Sequence, residues 1–159
     1  MQLKNDIINK VEVILEYVEM EGIINMAKAG DSYIVILSKA HLEWGTHRYT
    51  NSRDQIYGEG YIPIPVDKAY NYGLLNSNGT GCTDILGQNI FRCQSRDGLF
   101  NGILKAQGCR EAGDIYAKQF SADGNLKALG TWYAQIGAKV GDALKVSWIS
   151  STDMIIEKL

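Results

Sequence analysis

From residue 38 onward the chain alternates short β-rich runs with clusters of Gly, Asn, Asp and Ser. This alternation constrains the fold more than any other feature. Each run is long enough for one strand, and each cluster supplies the residues that end it. The longest apolar run, Tyr33-Ile-Val-Ile-Leu37, has five residues, whereas a membrane-spanning helix needs about 20. Proline occurs only at Pro63 and Pro65, against 17 glycines. Little in the body of the chain therefore interrupts a ladder of strands.

The pattern predicts strands over 32–37, within 59–65, near 89–94, 100–106 and 114–120, and over 143–149 and 154–158. The run Glu59-Gly-Tyr-Ile-Pro-Ile-Pro65 alternates apolar side chains and ends on two prolines, as an edge strand entering a turn does. A short helix is expected over Val66–Tyr72, opened by Pro65 and closed by Gly73. A second is expected over Leu126–Gln135, capped by Asp123 or Asn125 and stopped by Gly137. Residues 76–81 read as a loop, and Ser150–Asp153 as a turn. Apart from these, Ile7, Ile8, Val11, Ile14, Leu15 and Val18 repeat at helical spacing, which predicts an amphipathic helix over about 4–20. The expected fold is mainly β (α+β): a closed barrel or sandwich with short helices, preceded by an N-terminal helix.

With 159 residues, 45% hydrophobic and 21% charged, the chain has the composition of one globular domain with its own core. Three widely spaced cysteines, Cys82, Cys93 and Cys109, fit a reducing compartment. The first ten residues lack a signal peptide's apolar core. A soluble, cytoplasmic protein with no membrane partner is expected. Net charge is −2, which argues against binding any polyanion by bulk attraction. Residues 1–31 hold three bases and six acids, so the rest of the chain is close to neutral. Any nucleic-acid contact must come from a local patch.

Catalytic patterns are incomplete. Cys109 with His41 or His47 is a conceivable thiol–imidazole pair, but small buried apolar cysteines are the commoner case. The spacing of two histidines and three cysteines matches no zinc motif, and Gly79-Thr-Gly81 lacks the Lys-Ser/Thr of a phosphate loop. For magnesium-dependent cleavage, two carboxylates and a lysine on adjoining strands are needed, and only Asp153 with Glu157-Lys158 comes near. The aromatic residues Tyr33, Trp44, Tyr61, Phe91, Phe100, Tyr116, Trp132 and Trp148 are expected mainly in the core. No metal, cofactor or catalytic residue is assigned.

Two stretches are unlike generic barrel sequence. One is Leu42-Glu-Trp-Gly-Thr-His-Arg48, with the polar residues 49–55 and Gly58-Glu-Gly-Tyr-Ile-Pro-Ile-Pro65 after it. The other is Ile103-Leu-Lys-Ala-Gln-Gly-Cys-Arg110, leading through Asp114–Phe120 to Asn125-Leu-Lys-Ala-Leu-Gly130. Together they resemble the DNA-recognition pseudobarrel of restriction endonucleases of the EcoRII N-terminal, BfiI C-terminal and NgoFVII kinds, which is similar in fold to the plant B3 domain. The resemblance covers residues 38–159 and leaves 1–37 as an appendage of helix and strand.

It implies a seven-stranded pseudobarrel with two arms that enter the major groove of double-stranded DNA, about Arg48–Tyr57 and Lys105–Lys118. It also implies the target-recognition module of a restriction-modification system, with cleavage supplied by a partner nuclease subunit or domain. The side chains in these arms suit that task. Arg48 and Arg53 can pair with guanine, and Asn51, Gln55 and Gln107 with adenine. Thr50 and Ser52 suit phosphate oxygens or a thymine methyl, while Lys105, Arg110 and Lys118 suit phosphates. Two other classes remain open on sequence grounds. One is a restriction endonuclease or other hydrolase with a dispersed site. The other is a barrel that binds a small ligand or a protein.

Overall fold

A computed structural model describes residues 25–47, 54–79, 83–109 and 113–159. The helix expected over 4–20 lies outside them. Seven strands form one sheet: β1 (Ser32–Ile36), β2 (Ile62–Pro63), β3 (Ile90–Ser95), β4 (Asn101–Gln107), β5 (Gln119–Ala122), β6 (Ala143–Trp148) and β7 (Asp153–Lys158). Their order is β1-β6-β7-β3-β4-β5-β2. All pairs are antiparallel except β3 with β7, which run parallel from Arg92 beside Asp153.

The sheet curls until its two edges nearly meet. There the Tyr33 hydroxyl on β1 donates to the Pro63 carbonyl on β2 at 3.1 Å, and the Tyr72 hydroxyl donates to the Ser32 carbonyl at 2.8 Å. Side-chain bonds thus bridge the seam where ladder bonds are missing, and burial of Tyr33 keeps its hydroxyl protonated for that role. Pro63 has no N–H to lose, which suits it to an edge strand.

Inside the barrel, alternate residues of β3, β4, β6 and β7 are buried. Phe91 and Cys93 of β3, Leu104 and Ala106 of β4, Leu144, Val146 and Trp148 of β6, and Met154 and Ile156 of β7 share one core. Trp148 is its hub, within 6.4 Å centroid distance of Tyr33, Tyr72, Phe91 and Phe120. Of the other aromatics expected in the core, Phe100 and Trp132 are buried, whereas Trp44, Tyr61 and Tyr116 are only partly covered.

Among the described residues there are also four short helices: α1 (Lys39–Leu42), α2 (Trp44–His47), α3 (Val66–Asn71) and α4 (Ala128–Gln135). α3 and α4 match expectation, and Gly137 stops α4 at φ 64°. The expected cap by Asp123 or Asn125 does not form: Lys127 stands at the N-cap with no side-chain cap bond, and the Asn125 side chain accepts from the Lys127 N–H itself at 3.1 Å, in the turn before the helix.

Two expectations need correction, and one stretch carried none. Residues 39–47, with no periodicity to mark them, form α1 and α2. The strand placed near 114–120 begins only at Gln119, because 113–118 form an irregular segment with one bridge, Leu75 to Tyr116. And β1, assigned from sequence to the appendage 1–37, pairs with β6 over five residues. The division at residue 37 therefore cuts through a single sheet. Among the described residues, no helix is long and apolar enough to cross a membrane.

Candidate nucleic-acid interface

Register fixes where the two polar segments lie. β5 runs antiparallel to β4, with Gln107 opposite Gln119, and β2 runs antiparallel to β5, with Pro63 also opposite Gln119. The segment 108–118 joins β4 to β5 at this end of the three-stranded ribbon. The chain through 54–61 enters β2 at the opposite end. The two segments therefore flank the ribbon from its two ends.

The first segment is anchored by missing side chains. Residues 56–60 run between α2 and α4, and a Cβ on Gly45 would overlap the Ile56 carbonyl oxygen. A Cβ on Gly130 would overlap the Gly58 carbonyl oxygen from the other side. The Trp-Gly and Leu-Gly motifs singled out in the sequence thus converge on one stretch of backbone. His41 adds a polar tie: its Nδ1 accepts from the Ser38 N–H at 2.9 Å, and its carbonyl accepts from the Tyr61 N–H at 3.1 Å. Its ring stands edge-on to Tyr61, and burial lowers its pKa from the ordinary imidazole value.

The second segment is anchored by Asn76, which is 0% exposed. Its Oδ1 accepts from the Gly108 N–H at 2.7 Å and the Asn78 N–H at 2.9 Å, while its Nδ2 donates to the Asp114 carbonyl at 3.0 Å. The Asn76 N–H donates to the Ile115 carbonyl as well. One carboxamide therefore pins both halves of 108–118.

Of the residues expected to contact DNA, Arg48, Thr50, Asn51, Ser52, Arg53 and Arg110 lie outside the described residues. Gln55 is exposed beside the first segment, next to Tyr57, which is 84% exposed. Lys105 and Gln107 belong to β4, not to a loop, and face outward from the ribbon. The irregular part of the second arm begins at Gly108.

The Gln107 Oε1 accepts from the Ser121 hydroxyl at 2.8 Å, covering Ser121 to 7% exposure. The Lys105 ammonium lies 3.0 Å from Asp84 and 3.5 Å from Asp123. The Lys118 ammonium lies 3.0 Å from Asp114. Hydrogen bonding to Asp84, reinforced by Asp123, raises the Lys105 pKa, and the bond from Lys118 lowers that of Asp114. Both lysines expected on phosphates thus carry carboxylate partners, which sequence spacing did not reveal for Lys105 because Asp84 is 21 residues away.

The residues considered for catalysis are dispersed. Cys109 follows β4 at one end of the ribbon, whereas His41 and His47 sit on α1 and α2 at the other. Asp153 takes two bonds from the Arg92 guanidinium, Glu157 pairs with Arg96, and Lys158 lies 3.7 Å from Asp142. The guanidinium, with Thr152 and Ser150 hydroxyls, holds the Asp153 carboxyl well below the usual range. Cys93 is buried, which pushes its thiol well up. A hollow of about 320 Å³ opens over Gln94, Asn101, Ile103 and Ile155, with the Arg92–Asp153 pair at its rim. No protein-family model, curated protein or solved structure matches this chain.

Proposed function

We propose that the protein binds double-stranded DNA sequence-specifically, holding the duplex between the segments 48–60 and 108–118 as the target-recognition module of a restriction-modification system. Cleavage then comes from a partner nuclease subunit or domain. One observation supports the reading: residues 54–61 enter the β2–β5–β4 ribbon at one end, 108–109 and 113–118 lie at the other, and the outward side chains of Lys105, Gln107 and Gln119 stand between them. The seven strands equal the number that the resemblance implies. Arginines and amides in the first segment suit base edges, and lysines on the ribbon and the second segment suit the backbone.

Selection from a randomised duplex library at about 100 mM salt tests this, at an ionic strength where phosphate contacts still register. A short retained motif is the expected result. Arg53→Ala then relaxes preference at one base pair by about 1–3 kcal/mol, whereas Lys118→Ala weakens all sequences alike. Retention of no duplex, or of all duplexes equally, contradicts the reading.

A further inference from the structure

We propose that Asp84 and Asp123 compete with DNA phosphates for Lys105, so that the ribbon between the two segments rejects duplex lacking the target sequence. This rests on the DNA-binding reading above and adds how that surface discriminates.

Lys105 faces outward near the middle of the ribbon, opposite Ser121 in register. Its side chain is 22% exposed, while those of Asp84 and Asp123 are 45% and 46% exposed. The ammonium is thus drawn down between two carboxylates that stand more open than it does. Both are held by fixed backbone. Asn89, 2% exposed, accepts from the Ile85 N–H at 2.6 Å and donates to the Thr83 carbonyl at 2.9 Å, bracketing Asp84 on either side. The Asp123 N–H donates to the Ile103 carbonyl at 2.8 Å, and Gly124, at φ 78°, turns the chain away directly afterwards.

A phosphate reaching this point meets one ammonium already answered by two carboxylates. Non-specific affinity for DNA comes almost wholly from cations that displace counterions from phosphates. Here that contribution is cancelled, a loss that base-edge contacts to a target sequence can outweigh and a random sequence cannot. Lys118 differs: it has one carboxylate partner, Asp114, and stands more open than it, at 57% against 23%, so it stays available to phosphates.

The test uses the full chain and a random-sequence 20-base-pair duplex, with affinity measured by fluorescence anisotropy over a range of salt. Asp84→Asn combined with Asp123→Asn is expected to tighten binding about fivefold or more, with each single change giving part of the gain. The plot of log affinity against log salt steepens by about one, as one further phosphate contact forms. In a Lys105→Ala background the same pair of changes tightens binding less than about twofold, because the ammonium they release is gone. Equal tightening with and without Lys105 overturns the proposal, since it marks general repulsion by the two carboxylates. So does a parent that binds duplex but gains nothing from the paired change. Failure of every protein, parent included, to bind any duplex overturns the DNA reading itself. Thermal unfolding of each variant identifies loss of fold separately.

Discussion

The two segments that flank the ribbon are held in opposite ways. The first depends on what is missing: Gly45 and Gly130 carry no side chain, so residues 56–60 pass between α2 and α4 in direct backbone contact. The second depends on what is present: one buried carboxamide, Asn76, satisfies groups at both ends of 108–118. A steric slot tolerates no added atom. A hydrogen-bonded clamp fails when a single donor or acceptor is removed. Two loops of similar polarity in the sequence therefore have different weaknesses.

The largest expected effect falls on the slot. Gly45→Ala forces a methyl into the Ile56 carbonyl, and backbone has nowhere to yield, so a loss of about 3 kcal/mol is expected by denaturant titration. Gly130→Ala behaves similarly. If either variant keeps parental stability, the slot is not a close contact and the contrast collapses.

Asn76→Ala comes next, at about 2–3 kcal/mol, since it strands the Gly108 and Asn78 N–H groups and the Asp114 carbonyl. Amide exchange should quicken in 108–118 and stay unchanged in 54–60. Equal quickening in both segments means that the two anchors are mechanically one.

The smallest effect separates the segments by pH. His41 has a lowered folded pKa, so the unfolded chain takes up its proton first as pH falls below about 6.5. Support for the first segment is therefore complete above that value and declines as pH falls through the folded value. Protonation also removes the Nδ1 lone pair that accepts from Ser38. Asp114 is lowered by Lys118, so its contribution to the second segment persists until pH falls below about 4. Opening constants, obtained by dividing exchange rates by their intrinsic values at each pH, should rise in residues 38–47 and 54–61 from pH 7.5 to 4.5 while those of 108–109 and 113–118 hold. His41→Gln removes that rise if His41 is the titrating group.

The sequence disclosed a strand such as Ile90–Ser95 because its burial alternates strictly, with Phe91, Cys93 and Ser95 pointing inward. It disclosed the glycine motifs as patterns, but not their reason, since Gly45 and Gly130 meet the same backbone from elements more than eighty residues apart. α1 and α2 have four residues each, too few for a helical period to register. Asn76 stood unremarked in a polar loop, because its partners lie 32 and 38 residues away. The strand expected near 100–106 does contain Lys105, which stands on β4 at the start of the arm that the resemblance implies. Contacts that close over long sequence separations leave no local trace, and both anchors are of that kind.

The joint role of the two segments is tested most directly by amide hydrogen exchange on the protein alone and saturated with the duplex recovered by selection. Under the two-loop reading, exchange slows in 54–60 and in 108–118 together, and the outer face of β1 and β6 is unaffected. Slowing confined to one segment, or centred on β1 and β6, contradicts it.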